Sequence, residues 1–153
     1  MKTVIKKLDE MTAQEWCRLV EERIKVFVVE QDCAYQEVDQ DDYHAAHLML
    51  FDDVDQLVGY TRIYRRSDGK VTFGRVLVPM QYRKNHYGRQ LVEQTIKATH
   101  RLFPGETIQI QAQAYLQKFY ESLRFQPVSD VYPEDGIPHL DMVLKGEDKN
   151  GGL

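Results

Sequence analysis

The sequence predicts a mixed α/β (α+β) fold with a central, mostly antiparallel sheet flanked by helices. Three observations carry that expectation. First, strand-like runs over residues 46–51, 57–65 and 70–78 are separated by an acidic turn at 52–55 and by Ser67-Asp68-Gly69. Short polar turns of this kind join antiparallel strands. Second, the pattern after residue 78 changes to helix, strand, helix, strand, and helical crossovers bring parallel pairing into a sheet. Third, a chain of 153 residues with 42% hydrophobic content can bury one sizeable core without metal or disulfide staples.

The elements follow in order. Residues 3–7 read as a short edge strand. Thr12 is an N-cap for a helix to about residue 28, with Trp16, Leu19, Val20, Ile24 and Phe27 at helical spacing. Residues 30–43 are acidic and aperiodic, a long loop of the kind that often carries function. The three strand runs come next. A helix over Tyr87–Leu102 carries Leu91, Val92, Thr95, Ala98 and Leu102 on one face and stops at Pro104-Gly105. Residues 107–111 are a strand, 113–123 a second helical run and 139–144 a last strand. Residues 1–145 are expected to form a single domain, and the polar, Gly-rich tail 146–153 to be flexible.

The net charge of −4 argues against nucleic acid or an anionic membrane surface as partner. No stretch approaches the roughly 20 apolar residues of a membrane span, and the start of the chain has no signal-peptide core. Cys17 and Cys33 lack metal-ligand spacing and are too few for a disulfide framework. Together these features predict a cytoplasmic protein with free thiols.

The strongest local signal is the run from Val76 to Arg89, in which an apolar strand feeds a short basic loop that opens a helix. A helix N-terminus has unpaired N–H groups and a partial positive charge, so it receives phosphate oxygens well. Arg83, Lys84 and Arg89 add charge, and Gly88 permits close backbone approach. Taken alone, the loop fits either an anion site or a solvated basic turn.

The run resembles the coenzyme A pyrophosphate loop of the GNAT acetyltransferase superfamily, Gln/Arg-x-x-Gly-x-Gly/Ala. Arg83 matches its first position and Gly88 its last, while His86 stands where the first glycine is expected. Further segments match in order: Phe27-Val28-Val29-Glu30-Gln31, then Tyr35, Glu37 and Asp39, His47, Gly74-Arg75-Val76, Gln111-Ala112-Gln113-Ala114, Phe119-Tyr120, and Glu134-Asp135-Gly136-Ile137-Pro138-His139. This set resembles the ElaA-type branch of the superfamily.

The resemblance implies a GNAT-like acyl-CoA acyltransferase fold with acetyl-CoA as co-substrate and no metal. It implies cofactor contacts from Val76, Leu77 and Val78 on the strand, from Arg83, Lys84, Asn85, His86, Tyr87, Gly88 and Arg89 in the loop, from Gln113, which replaces the family's asparagine, and from Tyr120. Tyr120 matches the tyrosine that gives a proton to the leaving thiolate, although Arg124 replaces the glycine that usually follows. An acceptor amine also needs a base, directly or through water. Glu30, Glu37, Asp39, His47 and His139 are the candidates; spacing does not rank them, and the matching segments favour Glu37 and His47.

The expected function is transfer of an acetyl group to an amine of a small-molecule or peptide acceptor by direct attack in a ternary complex. The acidic loop would steer a cationic acceptor. The resemblance also admits a homodimer. The alternative is a non-catalytic acetyl-CoA-binding sensor or interaction module on the same fold, motivated by His86. Asp41, Asp42, His44 and His47 lack a recognised metal spacing, so no metal site is expected.

Overall fold

Apolar residues of β2 (Ala46–Phe51) and β3 (Leu57–Arg65) are buried almost without interruption, as expected of strands covered on both faces. The computed structural model describes residues 1–146, so the predicted flexible tail lies, beyond Gly146, outside the described residues. Around β2 and β3 stand β1 (Lys2–Lys6), β4 (Val71–Leu77), β5 (Ile108–Gln113), β6 (Gln126–Pro127), β7 (Tyr132–Glu134) and β8 (Ile137–Leu144). The strand order is β1-β2-β3-β4-β5-β8-β6, with β7 also paired to β8. Every pairing is antiparallel except β4 with β5.

Period-two alternation divides the core. Leu48, Leu50, Ile63, Phe73, Ile108, Ile110 and Met142 pack with Leu91 and Val92 of α2 (Tyr87–Leu102). Met49, Tyr60 and Leu77 pack on the other face with Leu19 of α1 (Ala13–Ile24) and with Val26 and Phe27. Thr12 caps α1 through a reciprocal box with Glu15, as its position predicted. The helix then widens into a π-helical turn, Lys25–Glu30.

Several boundaries differ from the sequence expectation, two of them at the site. Residues 113–123 are not one helix. β5 continues to Gln113 because Ala112 and Gln113 pair with Leu140 and His139 of β8, so sheet pairing overrides the helical run. A 3₁₀ turn (Ala114–Leu116) and the short α3 (Gln117–Ser122) follow. β8 also begins two residues early, in a hairpin with β7. Its turn, Asp135-Gly136, takes φ of 50° and 79°, the left-handed pair that Asp-Gly favours.

Two irregularities position the site. β4 and β5 pair at a single position, Val71 with Ile108, and diverge beyond it. β4 also carries an extra residue. Tyr60 pairs with Leu77 and Arg62 with Gly74, which leaves Arg75 and Val76 without partners on β3. Arg75 has φ of 51°, so this is a β-bulge with a left-handed arginine.

Candidate active site

The divergence of β4 from β5 opens a cavity of about 380 Å³. Its walls are Gly74, Arg75, Val76 and Val78 on one side and Ile110 to Gln113 on the other. Tyr120 lines it as well. The Tyr120 ring is wedged edge-on between Phe119 and Phe125, with centroids 5.2 and 5.6 Å away. Burial pushes the Tyr120 phenol well above its usual pKa and keeps it protonated. Among the described residues its hydroxyl makes no side-chain hydrogen bond, and the residue forms part of the cavity wall.

At the cavity mouth the chain passes from Val78 through a 3₁₀ turn (Met80–Asn85) into α2. His86 joins the two with φ of 59° and ψ of 27°, the left-handed conformation that glycine adopts most easily. Thus the position of the missing family glycine keeps a glycine-like backbone. Among the described residues no side chain caps the α2 N-terminus, so its first N–H groups remain available to an anion. Arg83, His86, Gly88 and Arg89 surround a second, shallower hollow there. Arg83 lines both hollows. Its Nε donates to the Val78 carbonyl (2.9 Å), and its Nη1 lies 2.7 Å from Glu30 Oε2 across the mouth.

These features fit coenzyme A. The unpaired edges of β4 and β5 can receive an extended amide-bearing arm, and the basic, uncapped helix start can receive a pyrophosphate. Of the residues expected to hold the cofactor, Val76, Val78, Arg83, Gln113 and Tyr120 line the cleft, and Arg83, His86, Gly88 and Arg89 the outer hollow. Leu77 turns its side chain into the core on the α1 side, so only its backbone is near. Tyr87 packs inward against Tyr82, and Lys84 and Asn85 line neither hollow.

The two favoured bases are elsewhere. His47 is 0% exposed on β2. Its Nδ1 meets the Tyr60 hydroxyl at 2.6 Å and its Nε2 the Asp42 carbonyl at 3.0 Å. Burial lowers its pKa and holds it neutral. Glu37 is 2% exposed, and its carboxylate accepts from Arg23 Nε (2.9 Å) and Arg75 Nε (2.8 Å). Asp39 and Asp42 complete this network through Arg62 and Arg23. Neither Glu37 nor His47 lines the cleft. Long side chains from α1, β3 and β4 converge on this loop in three dimensions, and linear spacing carries no sign of that.

Of the other base candidates, Glu30 and His139 do line the cleft. His139 Nδ1 lies 2.7 Å from the Ile137 carbonyl. A carbonyl only accepts, so in the neutral ring Nδ1 carries the proton and Nε2 the lone pair. Tyr35, Tyr64, Tyr115, Glu134 and Asp135 also line the cleft and had no assigned part in the sequence reading. The Asp135-Gly136 turn signal was available for the hairpin, and Tyr35 stood in the family-matching run; Tyr64 and Tyr115 carried no signal.

A family model described as acetyltransferase (GNAT) domain matches residues 8–145. The chain belongs to the GNAT acetyltransferase family. This GNAT protein is 39% identical over 137 residues to the protein ElaA of Escherichia coli, covering 87% of this chain and 89% of ElaA. A UPF0039 protein of Schizosaccharomyces pombe is 44% identical over 124 residues, 80% of this chain and 83% of that one. The crystal structure of E. coli ElaA superposes with a TM-score of 0.85 at 36% identity, over 93% of this chain and 97% of the other. An acyl-CoA N-acyltransferase from Pseudomonas aeruginosa also gives a TM-score of 0.85, at 38% identity, over 94% of this chain and 99% of that one. The fold is thus that of GNAT acyl-CoA N-acyltransferases, and the chemistry of the family is acyl transfer. No helix among the described residues is long and apolar enough to cross a membrane.

Proposed function

We propose that the protein is an N-acetyltransferase that moves an acetyl group from acetyl-CoA to an amine of a small-molecule or peptide acceptor. One observation carries the reading: the β4–β5 divergence runs from an uncapped, basic helix start to a cavity bearing the protonated Tyr120. Bound acetyl-CoA supplies the acetyl thioester. Val76 and Val78 offer backbone groups to the pantetheine arm, and the first turn of α2 with Arg83 and Arg89 receives the phosphates.

Acid and base work falls to two side chains. Tyr120 holds a proton on its hydroxyl for a departing thiolate sulfur. His139 Nε2 is free to take a proton from the acceptor ammonium before attack, or from the amine as it attacks, directly or through water. Of the cleft's carboxylates, Glu30 is paired with Arg83, and Glu134 and Asp135 favour a cationic acceptor. This moves the attraction from Glu37 and Asp39, which are neutralised by arginines, to the cleft rim. Holding both reactants in one cleft favours direct attack.

Calorimetry with acetyl-CoA and thiol release over a broad panel of amines test the proposal together. Binding with thiol release above background for at least one amine supports it. Absence of acetyl-CoA binding sinks it.

A further inference from the structure

We propose that Glu37 and Arg75 form a clamp that fixes the β4 bulge toward the cleft, which makes both positioning residues for the acetyl thioester. The inference rests on the acetyl-CoA reading above. Arg75 occupies a left-handed conformation that an arginine does not hold unaided. Its guanidinium is held twice by one residue. Nε donates to Glu37 Oε2 at 2.8 Å and Nη2 to the Glu37 carbonyl at 2.7 Å. Glu37 is anchored from behind in the same manner. Arg23 of α1 donates to Oε2 at 2.9 Å and to the carbonyl at 3.2 Å. The Tyr35 ring lies under the Arg75 guanidinium at 5.2 Å.

The clamp therefore ties α1, the acidic loop and β4 together at one point. That point is where the Arg75–Val76 backbone lacks partners on β3 and where β4 has already left β5. Gly74, Arg75, Val76 and Val78 all line the cleft. A backbone group pre-aimed at a developing oxyanion accelerates acyl transfer only if it is held in place. Buried ion pairs stabilise a fold little better than apolar packing of the same volume. A buried, doubly anchored glutamate on the left-handed residue of β4 points to fixing geometry rather than to cohesion.

Isotope-edited infrared spectroscopy tests this with the full chain and acetyl-CoA labelled with ¹³C at the thioester carbonyl. The parent protein should shift the bound carbonyl band to lower frequency than that of free acetyl-CoA. Arg75→Gln and Glu37→Gln should return the band to its free position, while coenzyme A affinity stays within about threefold. Glu37→Gln strips a buried arginine of its partner and threatens folding. Arg75→Gln acts at the half-buried end and decides alone if Glu37→Gln does not fold. A band shifted equally in the parent and Arg75→Gln overturns the clamp. So does an unshifted band in a parent that binds acetyl-CoA, or a loss of coenzyme A affinity beyond about tenfold in Arg75→Gln. A parent that binds neither acetyl-CoA nor coenzyme A overturns the acetyltransferase reading itself.

Discussion

Tyr120 couples packing to chemistry in a single side chain. Its ring belongs to the core between Phe119 and Phe125, and the residue also lines the cleft. Tyr120→Phe keeps the packing and removes the proton. Turnover should fall about 100-fold or more, the range of a lost general acid, with coenzyme A affinity unchanged by calorimetry. Equal turnover in the variant would remove Tyr120 from the mechanism. Because burial raises its pKa, the parent's rate should show no loss from tyrosine ionisation below about pH 10. His139→Gln tests the partner role. It keeps a side-chain donor toward the Ile137 carbonyl but has no basic nitrogen, so kcat should drop on the order of 100-fold while acetyl-CoA binding persists.

The turn into α2 shows how an element can keep its geometry after losing its expected residue. The family pattern has glycine at position 86, and His86 adopts the left-handed backbone glycine would take. Histidine bears that conformation at some cost, whereas a β-branched residue resists it strongly. His86→Gly should therefore fold at least as stably as the parent. His86→Val should lose about 1–2 kcal/mol and melt correspondingly earlier. A thermal melt in which valine equals glycine would contradict the assigned geometry. At this scale the sequence was largely readable. The periodicity in β2, β3 and α2 and the Thr12 cap gave their bounds to within a residue. Residues 113–123 were misread because local propensity cannot report that β8 lies alongside Gln113.

At the scale of the whole molecule, three arginines and three carboxylates from α1, β3, β4 and the acidic loop neutralise one another in the interior. This makes stability depend on pH with a definite sign. Burial lowers the pKa of His47, so folding favours the neutral ring. Stability should begin to fall as pH drops below about 6.5, where the unfolded histidine gains its proton. Burial alone would raise the Asp42 carboxyl, but its bonds to Arg23 and the nearby arginine charges bring it down to about 2. Its contribution is full above about pH 4 and lost progressively toward about pH 2, a change of about 2 kcal/mol. Urea unfolding across that range reads both segments. A flat profile from pH 7 to pH 3 would contradict the network.

The sequence by itself determined the alternation of elements, the strand-to-helix loop with its basic residues, and the family resemblance that pointed to Tyr120. All of these are encoded locally, in period, turn residues and short motifs. The tertiary structure alone decided which titratable groups face the cleft. Glu37 and His47 are as polar in sequence as Glu30 and His139. The crossing of α1 with β3 and β4 buries the first pair among arginines and aromatic rings, while the β7–β8 hairpin and the π-helical turn bring the second pair to the opening between β4 and β5. A carboxylate or imidazole acts as a base only where its lone pair is free, and that depends on neighbours distant in the chain.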